Sequence, residues 1–301
     1  MRRPLFALLV LLLPMLAYAG ISALALNNAL HPLRKPVQST PVADGVPAEP
    51  LHLITDDGIA IVGWFMPSSV GSSVRSSARR AVVFVHGLDS HGWTGYHKDA
   101  ARAYLAAGID AVVFDLRGQG DSGGERIGLG WKERADVAAV VAELRRRGYE
   151  PGSIGLHGSS YGGGTSILAA ASIPEIGAVL VDCPWADIRP MVASELELRT
   201  GLGDFFVPGV VMIGELAFDL DLERHEPLLH VDKIAPRALL IVVGEQDDRI
   251  PAAHSRMLFH AARGDKQLWA VQDAGHTAIW QTHPEEFQRR AVAFFQEKLR
   301  A

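Results

Sequence analysis

The sequence predicts an α/β fold with a mostly parallel central sheet and helices on both of its faces. From residue 81 onward, short apolar runs of strand length alternate with longer runs of helical length. The short runs do not alternate strictly between polar and apolar residues, which is typical of strands that are buried on both faces. A Gly-x-Ser-x-Gly segment, residues 158–162, stands between one such strand and the helix after it. These three observations together favour a doubly covered parallel sheet.

The predicted elements follow one another in a regular order. Two strands joined by the turn 56–58 come first, and the later strands are separated by helices. The predicted strands are 51–55, 59–65, 81–85, 109–114, 153–156, 178–181, 238–243 and 267–272. The predicted helices are 96–107, 131–147, 165–171, 251–262 and 284–299. With 301 residues, 48% of them hydrophobic, the chain is long enough for one large core, and we expect one domain over residues 51–301.

The first 26 residues differ in composition from the rest of the chain. Arg2 and Arg3 precede residues 5–26, an uncharged and mostly apolar run that is long enough to span a bilayer. The sequence Ala17-Tyr18-Ala19, just before Gly20, is typical of a signal-peptidase site. We therefore expect a membrane-anchored protein whose catalytic domain lies outside the cytoplasm. A secreted or periplasmic protein is the alternative if the segment is cleaved.

Two further segments depart from the strand–helix pattern. Residues 27–50 are polar and rich in proline, which predicts a semi-rigid linker that holds the domain off the membrane. Residues 186–229 form a long insertion between two strands, which we interpret as a short helical lid. Its apolar middle, residues 205–218, either packs on the domain or forms an acyl-binding wall that contacts lipid.

Ser160 is the predicted nucleophile. It lies at the centre of the Gly-x-Ser-x-Gly segment, between a strand and a helix, which is the context of a nucleophile elbow. Gly158 and Gly162 give room where the strand and the helix would otherwise collide with the serine backbone. Ser159 is excluded because His157, and not glycine, precedes it by two positions.

An acidic loop and a histidine follow two of the later strands, in the chain order that a serine–acid–histidine triad requires here. The strand 238–243 ends in a loop that contains Asp247 and Asp248. The strand 267–272 is followed by Ala274-Gly275-His276. His276 can therefore reach back to the serine, take its proton and return it to the leaving group.

Taken in order, these segments resemble the α/β-hydrolase superfamily over about residues 51–301. The likeness also rests on His86-Gly87-Leu88 after a strand and on the loop 115–122. The resemblance implies a serine hydrolase of the esterase, lipase or serine aminopeptidase type. It implies no cofactor and a lid in the insertion.

The resemblance also assigns residue roles. It places the catalytic acid at Asp247 in preference to Asp248. It places the oxyanion hole at the backbone amides of Leu88 and Tyr161, which suit that task because their direction is set before charge develops.

Composition and residue spacing argue against nucleic-acid binding and metal binding. The net charge is −5 and no basic stripe is present, so nucleic acid is not an expected partner. Three histidines, at positions 86, 91 and 97, lack accompanying carboxylates or cysteines at ligand spacing, so no metal is expected. We interpret His86 as a support for the following turn, Cys183 as a small buried residue, and Asp115 with Arg117 as a structural pair.

The expected substrate is a small ester or acyl compound, for which a lipid-like molecule is one option. The membrane is the expected partner of the amino-terminal helix. Three other functions stay open from the sequence. A serine aminopeptidase would need an acidic group for the substrate amine, which Glu195, Glu197 or Asp204 could supply. An acyltransferase would use the same catalytic residues but exclude water. A membrane-tethered binding protein without catalysis is the third.

Overall fold

The computed structural model describes residues 2–69, 79–217, 221 and 225–300. The serine-rich segment 68–77, which its composition predicts to be a surface loop, therefore lies outside the described residues from position 70 onward. Part of the predicted lid, residues 218–220 and 222–224, also lies outside them.

The strands predicted from the sequence are all present, with bounds that differ by a few residues. They are β1 Glu49–Ile54, β2 Ala60–Met66, β3 Ala81–Val85, β4 Asp110–Phe114, β5 Ile154–Ser159, β6 Ile176–Asp182, β7 Ala238–Gly244 and β8 Lys266–Val271. Their order across the sheet is β1-β2-β4-β3-β5-β6-β7-β8. β2 runs antiparallel to β1 and β4, and the other neighbouring strands are parallel. The mostly parallel sheet is thus confirmed.

Helices cover both faces of this sheet, as predicted. They are α1 Arg2–Leu30, α2 His97–Ala106, α3 Glu133–Arg146, α4 Tyr161–Ala170, α5 Ile188–Thr200, α6 Val207–Ala217, α7 Ala253–Ala261, α8 Ile279–Thr282 and α9 Pro284–Lys298. α2, α8 and α9 pack in one core cluster, and α3, α4 and α7 pack in the other. β3 shows why the strands are apolar throughout: Val82 and Phe84 point into the first cluster, and Val83 and Val85 into the second.

The parallel strands bring their carboxyl ends to one edge of the sheet. β3 and β5 are direct neighbours there, and β7 and β8 lie further along the same edge. Loops after these strands therefore meet above one edge, which is where open α/β sheets bind their ligands.

The amino-terminal helix is longer than predicted and packs on the domain. α1 ends at Leu30, so the predicted boundary after residue 26 falls inside the helix. Ala25, Leu26 and Leu30 are buried in the core cluster that contains α4, whereas residues 12–17 are exposed. Because the buried positions recur every three or four residues, one face of the last turns lies against the domain.

The predicted linker, residues 27–50, also lies on the domain. The Arg34 guanidinium donates to three main-chain carbonyls of the loop after β4, those of Gly120 at 3.0 Å, Ser122 at 2.6 Å and Gly124. Asp44 accepts from the Lys98 ammonium at 2.7 Å and from the Trp93 indole at 2.8 Å. The segment therefore packs on the domain and does not extend freely from it, while its predicted position at the membrane stays a prediction. Proline favours an extended backbone, but the side chains between the prolines find partners on the domain.

The insertion between β6 and β7 is helical and contacts the amino-terminal helix. Its helix α6 packs against α1. The Tyr18 hydroxyl of α1 donates to the Phe205 carbonyl at 2.8 Å and accepts from the Gly209 amide at 3.0 Å. Gly209 permits this approach, since a Cβ there would lie 2.5 Å from the Tyr18 ring. The membrane-helix candidate and the lid candidate thus form one packed unit.

Candidate active site

Ser160 stands at the sharp turn between β5 and α4. Its φ of 53° and ψ of −119° lie outside the regions that ordinary residues prefer. A Cβ on Gly158 would come within 2.4 Å of the Gly162 carbonyl oxygen, and a Cβ on Gly162 within 2.0 Å of the Val85 carbonyl oxygen. Glycine is therefore required two positions before and two positions after the serine, for the steric reason that the sequence suggested.

The Ser160 hydroxyl is one end of a hydrogen-bonded chain. His276 Nε2 lies 2.8 Å from Ser160 Oγ, and His276 Nδ1 lies 2.7 Å from Asp247 Oδ2. Asp247 follows β7 and His276 follows β8, so two neighbouring loops at one sheet edge supply them. The imidazole is 15% exposed and the carboxylate 0%. The structure thus brings together the three side chains that were predicted to form a triad.

Asp247, and not Asp248, points into the site. Its Oδ1 accepts from the backbone amides of Arg249 at 3.0 Å and Ile250 at 2.8 Å, whereas Asp248 is exposed. Burial raises the pKa of Asp247, but the hydrogen bond and charge of His276 and the Ile250 amide outweigh burial, so the pKa lies below its ordinary value. The carboxylate therefore stays charged and can hold the imidazole with its proton on Nδ1.

Leu88 and Tyr161, the predicted oxyanion-hole residues, lie beside Ser160. Both residues line the same small cavity as Ser160. Among the described residues, neither amide donates to another protein group. Tyr161 is the first residue of α4, so its amide also carries the partial positive charge of a helix amino terminus. Two unoccupied donors at this place suit an oxyanion.

His86 supports the loop that carries the Leu88 amide. Its Nε2 accepts from the Leu116 amide at 3.0 Å, and its Nδ1 donates to the Gly87 carbonyl at 2.7 Å. Burial lowers the pKa of His86 to about 4, so the ring is neutral and can act as acceptor and donor at once. This agrees with its interpretation as a support and not as a second base.

Asp115 and Arg117 do not pair with each other, so that expectation was wrong. Arg117 forms a buried ion pair with Asp136 at 2.7 Å. Asp115 accepts instead from the backbone amides of Gly92 at 2.7 Å and Asp121 at 2.8 Å. Both side chains shape the loop after β4, but through different partners, because residues two apart around a turn need not face the same side.

Sequence reasoning missed Asp182 at the end of β6. Its carbonyl accepts from the Ser160 amide at 2.8 Å. Its carboxylate is fully buried and, within the described part of the chain, accepts no hydrogen bond of ordinary geometry. Burial raises the pKa of Asp182 to about 7. The Cys183 thiol and the Tyr96 hydroxyl, which lie near the carboxylate without reaching hydrogen-bond geometry, and the charge of His276 lower it only in part. One feature of the sequence could have indicated Asp182. It is an aspartate at the end of an apolar strand, and that strand follows the one that carries the nucleophile.

Cys183 is buried, as predicted, and lies close to the hydrogen-bonded chain. Its Sγ accepts from the Thr277 amide at 3.4 Å, and burial raises the pKa of the thiol well above its ordinary value. The thiol, Asp247 and His276 each offer a ligand atom within 4.8 Å of the others. Because Asp247 and His276 already bind each other, we interpret this group as the surroundings of the triad.

A chain of ion pairs closes the lid helix α5 over the site. Arg199 of α5 contacts Asp89 of the loop after β3 at 2.6 Å and Glu195 of its own helix at 3.0 Å. Glu195 also contacts Arg249 of the acidic loop at 2.7 Å. These four side chains join α5 to the two loops that carry Leu88 and Asp247.

Ser160 lies where two spaces of different character meet. A small cavity of about 20 Å³ extends from it under α5, with mostly apolar walls. A wider groove of about 280 Å³ opens on the side of His276. Polar side chains of the groove include Lys35, Asp89, Thr94 and Gln281.

Several known proteins resemble this chain in sequence. Residues 55–196 match the family model described as X-Pro dipeptidyl-peptidase (S15 family). YqkD of Bacillus subtilis is 27% identical over 194 residues, which cover 64% of this chain and 63% of YqkD. YfhR of Salmonella typhimurium is 25% identical over 303 residues, which cover 100% of this chain and 98% of YfhR. The chain thus spans less than two thirds of the first relative and nearly all of the second.

Solved structures confirm the predicted α/β-hydrolase fold. The esterase Pf2001 of Pyrococcus furiosus has a TM-score of 0.72 at 22% identity, covering 90% of this chain and 98% of the esterase. The acylaminoacyl peptidase of Pyrococcus horikoshii has a TM-score of 0.66 at 19% identity, covering 84% of this chain and 42% of the peptidase. Together with the family match, these likenesses support a hydrolase that resembles the serine hydrolases of this superfamily.

Proposed function

We propose that the protein is a serine hydrolase that cleaves carboxylic esters through an acyl-enzyme. The observation that carries this proposal is the chain Asp247–His276–Ser160, with heavy-atom distances of 2.7 and 2.8 Å. Fold alone would not support it, since the same scaffold hosts several chemistries. A serine on a strained turn, a histidine within reach and an oriented carboxylate together make a nucleophile.

Each residue has a defined step in this mechanism. Ser160 Oγ attacks the ester carbonyl carbon while His276 Nε2 takes the hydroxyl proton. The carbonyl oxygen becomes an oxyanion, which accepts from the Leu88 and Tyr161 amides. When the tetrahedral intermediate collapses, the bond to the alcohol breaks and His276 donates the proton to the leaving oxygen. Water then attacks the acyl-enzyme in the same way, which releases the acid and restores the Ser160 hydroxyl.

A serine aminopeptidase is the second candidate. The family match to an X-Pro dipeptidyl-peptidase model and the position of Glu195 beside Ser160 favour it. A substrate amine, however, needs a carboxylate that is not already neutralised, and Glu195 is paired with both Arg199 and Arg249. Glu197 and Asp204, the other candidates from the sequence, are exposed. The charges around the site therefore favour an ester.

The decisive experiment uses a fluorophosphonate probe, which labels a serine activated by a histidine. The wild-type chain should be labelled and Ser160→Ala should not, while Ser159→Ala serves as the neighbouring control. A panel of p-nitrophenyl esters beside aminoacyl anilides then separates esterase from peptidase. Loss of Ser160 should lower ester turnover by at least about a hundredfold. Undiminished turnover in Ser160→Ala would overturn the proposal, and faster cleavage of anilides than of esters would favour the peptidase.

We further propose that α1 is retained as a membrane anchor, with the domain outside the cytoplasm. Residues 12–30 are long and apolar enough to cross a membrane, a test that a signal sequence also passes. Cleavage after Ala19 would remove Tyr18, which binds the lid. Because Tyr18 contacts the lid and the helix packs on the domain from Ser22 onward, the span would end near Tyr18 and the domain would rest on the membrane surface. Resistance to carbonate extraction supports this arrangement, and a soluble mature chain that starts at Gly20 contradicts it.

A further inference from the structure

A second, almost wholly apolar cavity lies beside the one that holds Ser160. It extends between α1, α5 and α6 and the loop after β4. The two cavities share Leu88, Tyr161, Met191 and Glu195 in their walls, so they adjoin each other beside the proposed oxyanion hole. Wall residues of the inner cavity include Leu26, Ala29 and Leu30 of α1, Met191 and Leu196 of α5, and Val210 of α6.

The geometry of proton transfer decides which part of a substrate enters this cavity. His276 returns its proton to the leaving oxygen, so the leaving group must lie on the side of His276. That side is the polar groove, which His276 and Gln281 line. Neither of them lines the two apolar cavities, the first of which is lined by Ser160 itself. An acyl chain therefore enters the apolar cavities while the alcohol occupies the groove.

The walls also limit the length of the acyl chain. Each of the two cavities measures about 20 Å³, which is roughly the space of one water molecule. Leu26 and Leu30 are almost fully buried against the far wall, at 2% and 3% exposure. Ala29 is half-buried between them on the same face of α1. Side chains of the amino-terminal helix thus close the space into which a longer chain would extend.

We propose that the last turns of α1 form the end wall of an acyl-binding subsite and set the preferred acyl length. The substrate class that fits is an ester of a short aliphatic acid with a polar alcohol. This inference rests on the proposed esterase function and deepens it, because it assigns the two substrate halves to two named spaces. It also gives the amino-terminal helix a role in specificity besides anchoring.

The test uses the full-length protein in detergent with p-nitrophenyl acetate, butyrate, hexanoate and octanoate. Leu26→Ala removes part of the end wall, so kcat/KM for octanoate relative to kcat/KM for acetate should rise by at least about tenfold. That is the discrimination in kcat/KM that one methylene usually gives in an apolar pocket. Ala29→Leu fills the space, so the ratio of butyrate to acetate should fall by a similar factor of about ten. The two substitutions act in opposite directions, which a general loss of stability does not produce.

Matched controls lie on the exposed part of the same helix. Leu24 is 67% exposed and Ala17 is exposed, so Leu24→Ala and Ala17→Leu repeat the two chemical changes away from the cavity. They should leave the chain-length profile unchanged. If Leu26→Ala does not fold, Ala29→Leu alone still tests the wall.

The possible outcomes distinguish a failure of the proposed acyl subsite from a failure of the proposed esterase function. Ester turnover that depends on Ser160 but keeps the wild-type chain-length profile in both wall variants overturns the subsite and leaves the esterase intact. A wild-type preference for octanoate over acetate also overturns it, since the closed wall would then not limit the chain. Absence of any turnover that depends on Ser160 overturns the esterase and the subsite together.

Discussion

Two buried aspartates that lie at or just after the ends of neighbouring parallel strands near His276 behave in opposite ways. Asp247, after β7, accepts from two backbone amides and binds His276, and its pKa lies below the ordinary value. Asp182, at the end of β6, accepts no hydrogen bond of ordinary geometry from the described residues, and burial raises its pKa to about 7. Burial alone disfavours a charge, and donors aimed at the carboxylate reverse that effect. The partners of an aspartate, more than its depth, decide whether it can serve as the charged member of a triad.

The largest effect on catalysis is expected from a substitution at Asp247. Asp247→Asn removes the charge that orients His276 and stabilises the imidazolium, so kcat for ester hydrolysis should fall by about ten-thousandfold. Steady-state kinetics with p-nitrophenyl acetate measures this. The fold should persist, because the amide has nearly the same shape. A loss below about tenfold would place the acid elsewhere, with Asp182 as the first residue to test.

Asp182→Asn should leave catalysis within about threefold, since Asp182 has no bond to His276, but it should change the pH dependence of stability. The folded-state pKa of Asp182 is raised from 3.8 to about 7. Its contribution to stability is therefore fully present below pH 4 and is lost as the pH rises through about 7, where the folded chain must bury a charge. The neutral asparagine avoids that loss.

Thermal unfolding at two pH values checks this expectation. Each pKa unit corresponds to about 1.4 kcal/mol, so Tm of Asp182→Asn at pH 8.5 should exceed that of the wild type by about 4 °C or more. At pH 4 the two proteins should unfold at nearly the same temperature. A variant that is less stable at both pH values would show that Asp182 has a partner that stabilises its charge.

Asp248→Asn has the smallest expected effect on activity and stability. It compares two adjacent aspartates of the same loop, Asp247 and Asp248. Asp248 is exposed and next in sequence to Asp247. Because its side chain is solvated, kcat/KM should change by less than about threefold and Tm by less than about 1 °C. A large loss of activity would mean that the loop places the following residue in the site and would reverse the roles of the two aspartates.

Much of this site could be predicted from local sequence. The elbow around Ser160 needs glycine at two fixed positions, and in the structure carbonyl oxygens occupy the space that a larger residue would need. Asp247 and His276 each follow an apolar strand, and parallel strands end at one edge. These are short-range rules of sterics and strand direction, so a single sequence carries them.

Other features depend on contacts between distant segments. The proline-rich stretch before β1 looked like a spacer, yet Arg34 and Asp44 bind the domain. Arg117 binds Asp136 and not Asp115. Composition and spacing indicate which groups a segment offers, but the partner that each group finds depends on how the elements pack.

The two ends of the amino-terminal helix also differ in whether the sequence alone or the tertiary structure determines their role. Its apolar composition already indicates a segment suited to a bilayer, because length and hydropathy are properties of the residues themselves. Its last turns instead bury Leu26 and Leu30 against the domain and close the apolar cavity behind Ser160. That assignment required three-dimensional packing, since an apolar helix face fits lipid and a protein core equally well, and the surface facing it decides between them.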